Sequence, residues 1–169
     1  MSGILAFFFM LRIFGMQVEK IPSTGTPPQK YYAATSVYDS SENRIITFGG
    51  YIVETDEYIS SIFSFDLTYL YWNTIYPESL LVPPGLMWPA SVLFSNNLYI
   101  FFGHKREGIS SDVFKFNLET YSWEWAYLQG DSILGRKNFG YTTFNDSDTT
   151  YLAIFGGITH KGGDNSLFL

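Results

Sequence analysis

Residues 63–75 read FSFDLTYLYWNTI, and residues 114–126 read FKFNLETYSWEWA. In both, Phe-x-Phe is followed at equal offsets by Asp66 or Asn117, then Leu, then Trp72 or Trp123. A second block recurs upstream: Ile45-Ile46-Thr47-Phe48-Gly49-Gly50, Tyr99-Ile100-Phe101-Phe102-Gly103-His104 and Leu152-Ala153-Ile154-Phe155-Gly156-Gly157. Two blocks in the same order at one period mark a repeat, each unit burying its apolar faces only against its neighbours. Ahead of each block, Pro28-Gln29-Lys30, Pro84-Gly85-Leu86 and Leu134-Gly135-Arg136 open a segment that ends in a short strand-like run.

One unit reads as strand, polar turn, strand ending in a glycine doublet, loop, strand, turn and a strand carrying Trp. The first turns, 39–43, 95–97 and 145–149, are rich in Asn, Asp and Ser, as hairpins require. The second turns follow Asp66 or Asn117, whose side chains can bond their own backbone. Four antiparallel strands per repeat make one blade of a β-propeller. The fold class expected is all-β, with no helix beyond one turn.

Composition agrees. The chain has 169 residues, 46% hydrophobic and 20% aromatic, which favours strands. A net charge of -6 offers no basic face for nucleic acid. With no Cys, a disulfide framework, a thiolate metal site and a Cys nucleophile are all excluded. The two histidines, His104 and His160, stand in different repeats, so neither a metal centre nor a cofactor is expected.

The repeat resembles the kelch family. An apolar run ending in Gly49-Gly50 or Gly156-Gly157, then an aromatic and a Trp with six residues between them (Phe65 and Trp72, Phe116 and Trp123), carries the resemblance. Phe stands where the family usually has Tyr. Lys30 and Arg136 match an early basic position, Leu86 departs from it, and His104 takes the second place of the Gly103 doublet. The resemblance covers residues 21–169 and implies a propeller that binds protein partners on its loop face. Some members are copper oxidases whose cofactor joins Tyr to Cys, chemistry that a chain without Cys cannot build.

The expected organisation is an apolar segment at 1–20, blades at 21–76 and 77–127, and a cut blade at 128–169. Residues 4–14, ILAFFFMLRIF, are too short to span a bilayer as a helix. They lack the basic flank and small-residue cleavage site of a secretory signal. Residues 4–18 read instead as a worn last half of a preceding blade, with Phe7 set on Phe65 and Phe14 on Trp72. The array is then two full and two partial blades, a fragment or shortened form of a larger propeller, with open edge strands able to self-associate or complete a ring. The expected compartment is the cytoplasm, with secretion the alternative if residues 1–16 act as a signal, and no membrane is expected.

No catalytic motif is present. Gly162-Gly163-Asp164 lacks the Lys and helix of a phosphate loop, and Asn145-Asp146-Ser147 reads as a surface turn. The long loops all emerge on one face. The residues expected to meet a partner there are Tyr51, Glu54, Asp56, Glu57, His104, Lys105, Arg106, Glu107, Arg136, His160 and Lys161. The leading function is a non-enzymatic interaction module. The rival is a sugar-binding or sugar-modifying enzyme, with Tyr51, His104, Arg106 and His160 around a central pocket. An enclosed pocket shared by the two histidines favours the rival; histidines on separate loops facing solvent favour the module.

Overall fold

Thr35–Asp39, Arg44–Phe48, Ile62–Asp66 and Tyr71–Ile75 pair in chain order as an antiparallel sheet, and Ala90–Phe94, Asn97–Phe101, Val113–Asn117 and Ser122–Trp125 repeat it. A third sheet joins Gly140–Asp146, Thr149–Phe155 and Leu167–Phe168. The computed structural model describes residues 7–12, 17–129, 131–146 and 149–169, and every regular element among them is a strand. These are kelch-like blades in a ring that does not close. No helix among the described residues is long and apolar enough to cross a membrane.

The turns form for the reasons written in the sequence. Ser95 and Asn96 both have positive φ, 47° and 58°, which a two-residue hairpin with the strands' own twist demands. Asp66 Oδ1 accepts the N–H of Thr68 at 2.7 Å and of Tyr69 at 2.8 Å, and Asn117 Oδ1 does the same for Glu119 and Thr120. At Asp39 the first turn closes differently: its buried carboxylate accepts from Ser41 and pairs with Arg44 at 3.0 Å. Burial pushes the Asp39 carboxyl up, but the Ser41 and Arg44 donors outweigh it and hold its pKa below the usual value.

Sandwiching explains the unbroken apolar runs. Leu98 and Ile100 face the first blade and pack with Ile46, Phe48, Phe116 and Trp123. Phe101, from the other face of the same strand, packs with Val113, Phe102 and Ile154 of the third. Trp123 is 3% exposed and meets Phe48 edge-on at 5.4 Å. Burying an indole contributes on the order of 4–6 kcal/mol at about 25 cal/mol per Å².

In both complete blades the outer strand is flanked by the chain arriving at its blade. Thr24–Gly25 runs parallel to Tyr71–Ile75. In the second blade Glu78 N–H donates to Tyr121 O at 2.7 Å, and Ser79 Oγ accepts from Trp123 N–H at 2.8 Å.

The pairing corrects the repeat frame in two places. Phe48, Phe101 and Phe155 end equivalent strands, so the second doublet is Phe102-Gly103, not Gly103-His104. Phe102 holds the first doublet position with φ of 58°, and its ring meets Phe139 at 6.0 Å in the adjoining core. The invariant need is at the second position: a Cβ on Gly103, φ 94°, meets Met87 O at 2.8 Å, and one on Gly50 meets Tyr31 at 2.4 Å. The frame also places Tyr31, not Lys30, opposite Leu86 and Arg136, since Tyr32–Tyr51, Met87–His104 and Lys137–Ile158 are equivalent pairs.

At the N-terminus, Phe7–Arg12 pairs with Gln17–Pro22 in a two-stranded sheet. Leu11 stands opposite Val18, the relation of Phe65 to Trp72, so setting Phe7 on Phe65 is four residues out of register. Phe14, set on Trp72 in that reading, lies outside the described residues.

Candidate loop-face site

The loop after each glycine doublet is itself a small hairpin. Tyr51–Ile52 pairs with Glu57–Tyr58, His104–Lys105 with Gly108–Ile109, and Ile158–Thr159 with Gly162–Gly163. Equivalent hairpins of neighbouring blades lie side by side, which brings Tyr58 of the first against His104 and Arg106 of the second.

Tyr58 OH lies 3.2 Å from His104 Nδ1, with the rings stacked at 6.0 Å. The Arg106 guanidinium sits 5.6 Å from the centre of the Tyr58 ring and donates to the Asp56 carboxylate at 3.1 Å and to the Asp56 carbonyl. Tyr51 OH donates to Asp56 Oδ1 at 2.5 Å. The Tyr51 hydroxyl and Arg106 therefore hold the Asp56 carboxyl below its usual pKa, while that same bond raises Tyr51. Asp56, Tyr58 and Arg106, together with Thr55, Glu57, Pro84, Gly85 and Glu107, line a depression of about 480 Å³.

A second aromatic set continues from the first. Tyr32 contacts Tyr51 at 5.7 Å and Trp88 at 6.3 Å, and the Lys137 ammonium lies 5.3 Å from the Trp88 ring centre. Burial and then the Lys137 charge hold His104 below the usual histidine pKa. The strip thus crosses all three blades, from Asp56 to Lys137.

The expected residues divide accordingly. Tyr51, Asp56, Glu57, Arg106, Glu107 and His104 come together, and Glu54 is exposed on the same loop. Lys105 turns to its own blade, bridging Asp112 at 3.2 Å. His160 and Lys161 are exposed on the third hairpin. Arg136 is a correction: it is 0% exposed and donates to Leu134 O, Gly156 O and Asp164 Oδ2, with Phe168 stacked on it at 4.8 Å. A guanidinium so enclosed presents nothing to a partner. His104 also departs from expectation, being half-buried on Tyr58 and not turned to solvent.

Tyr32, Tyr58, Trp88 and Lys137 were not among the expected residues, because aromatics in a propeller read first as core. The spacing of the hairpin, which pairs Tyr58 with Tyr51, was the available clue. Neither histidine lines the Asp56–Arg106 depression. No group of three or more His, Asp or Glu is placed to hold a metal among the described residues.

Comparison with known proteins agrees with the kelch-like blades of the fold. The KLHDC2/KLHL20/DRC7 Kelch-repeats domain model matches residues 4–168. Kelch domain-containing protein 2 of Bos taurus is 26% identical over 163 residues, covering 83% of this chain and 38% of the relative. The chain therefore spans well under two thirds of that protein's length.

Proposed function

The chain belongs to the kelch-repeat family, and on that premise we propose that it is a non-enzymatic protein-interaction module whose contact surface is the loop face. The observation that carries this reading is the Asp56–Tyr58–His104 and Tyr32–Trp88–Lys137 strip. It offers aromatic and cationic anchors over a broad face, the anatomy of a partner surface. Its titratable groups pair with one another, Tyr58 with His104 and Asp56 with Tyr51 and Arg106, rather than converging on one substrate atom as catalysis requires. Tyr51, Glu54, Glu57, Lys105, Arg106, Glu107, His160 and Lys161 surround the strip as a rim of mixed charge, which orients a partner and speeds association.

The test compares proteins captured by the wild-type chain with those captured by Trp88→Ala and Arg106→Glu. Tyr69→Ala, on an exposed turn of the opposite face, is the control. The loop-face variants lose the partner at least tenfold and the control retains it. Loss with Tyr69→Ala alone overturns the assignment.

The chain is read further as part of, or a shortened form of, a larger kelch propeller, on the strength of its 38% coverage of the relative. Transcript sequence on either side of the reading frame tests this, further repeats being the expected result. The open edges of the array are a separate place for association and ring completion. The compartment proposed is the cytoplasm, and a fluorescent fusion checks it.

A further inference from the structure

The depression between the first two loop hairpins holds more negative charge than the fold neutralises. Asp56, Glu57 and Glu107 line it against a single cation, Arg106. Arg106 is committed to the Asp56 carboxylate at 3.1 Å. Lys105, the other cation of that hairpin, turns away to Asp112 at 3.2 Å. The first hairpin, 51–58, contains no basic residue. Glu57 and Glu107 are exposed, and neither makes an ion pair among the described residues.

The same walls already seat a guanidinium. Arg106 donates to both the carboxylate and the main-chain carbonyl of Asp56 and stands 5.6 Å from the centre of the Tyr58 ring. A planar fork therefore finds acceptors and an aromatic surface here together. The floor is fixed as well. A Cβ on Gly85 would run into the Tyr58 carbonyl, so the lead-in of the second blade is pressed against the first hairpin. These features are confined to the first of the two junctions. In the second hairpin Gly108 and Ile109 take the register places of Glu57 and Tyr58, and in the third Lys161 takes the place of Glu107.

We propose that this depression receives an arginine side chain of the partner, carried on a basic segment laid across the first two hairpins. This rests on the loop-face reading and names the chemistry met there. The incoming guanidinium meets Glu57 and Glu107, the carboxylates left unmatched, while Arg106 clamps Asp56 and Tyr58 into the wall beside it. An acidic side chain is repelled at the same place. The third hairpin has the opposite character, with His160 and Lys161 exposed and Asp164 tied to Arg136. A basic residue is therefore directed to the first junction and away from the third hairpin, which sets the orientation of the bound segment.

The probe is the capped peptide acetyl-Gly-Gly-Arg-Gly-Gly-amide, titrated into the 169-residue chain at low salt and followed by backbone amide shifts. Saturable shifts are expected at Asp56, Glu57 and Glu107, and they shrink as salt is added. The peptide with Lys in place of Arg binds more weakly, and the one with Glu does not bind. The double variant Glu57→Gln, Glu107→Gln keeps the shape of the depression. It melts with the wild type, since neither carboxylate is ion-paired among the described residues, and binds the Arg peptide about tenfold more weakly. No saturable shift, equal shifts from the Glu peptide, or undiminished binding by the double variant each overturns the proposal. Its failure is separable from that of the loop-face reading. A partner lost by Trp88→Ala but kept by the double variant removes the arginine and leaves the contact face in place.

Discussion

At Arg136 a guanidinium with no exposed surface directs its donors to Leu134 O at 3.1 Å, Gly156 O at 2.7 Å and Asp164 Oδ2 at 3.3 Å. It thereby ties the lead-in of the third blade to its glycine doublet and to the loop ahead of the last strand. Ser166 donors and then Arg136 hold the Asp164 carboxyl below its usual pKa. Arg136→Met keeps the bulk and removes the donors, leaving buried carbonyls unsatisfied. The expected cost is about 3 kcal/mol or more, read as a lower urea midpoint. Arg136→Lys does not restore it, because one ammonium cannot span three acceptors fixed for a planar fork.

Among the elements, the turn between third and fourth strands is the most self-contained. Asn117→Ala removes the acceptor of two backbone N–H groups on an exposed turn and costs about 1 kcal/mol. That corresponds to roughly 2–4 °C in Tm for a chain of this size. Asn117→Asp, which copies Asp66, retains most of it; equal loss in both variants would sink the account. This turn was legible in the sequence because its chemistry is local. The strands were legible too, their repeated Phe and Trp being the residues that fill the space between blades. The doublet of the second blade was misread by one residue because Phe102 adopts a backbone angle normally left to glycine, and only strand pairing reveals which position tolerates a Cβ. The loop-face strip was hardest to read, since Tyr58, Trp88 and Lys137 come from three repeats and meet only through blade packing.

Across the whole molecule, the first strands of all three blades converge where Thr35 Oγ1 lies 2.7 Å from Ser91 Oγ and 3.0 Å from Tyr141 OH. The loop hairpins start from the same end, since Thr35, Ser91 and Tyr141 pair with Phe48, Ile100 and Ile154 just ahead of the doublets, and their packing couples His104 to stability. The folded chain binds the His104 proton more weakly than the unfolded chain, because burial and then Lys137 disfavour the imidazolium beside Tyr58. Stability from this group is therefore complete above the ordinary histidine value, about 6.5, and declines as pH falls below it. His104→Gln flattens the Tm profile between pH 6.5 and 5.5; an unaltered slope refutes the coupling. Asp39, Asp56 and Asp164, all with lowered pKa, act only at more acidic pH, below about 3.9. The parallel run of Thr24–Gly25 along Tyr71–Ile75, matched by Glu78 and Ser79 beside Tyr121 and Trp123, bears on how such a chain grows or shrinks. The rim of each of the two complete blades is sealed by the connector that precedes it, so connector and blade are inherited together. A duplication or deletion cut just upstream of Thr24 or Glu78 carries its own seal, whereas a cut between connector and first strand strands a bare rim. Copy number can thus drift in whole units without ever exposing the outside of the ring.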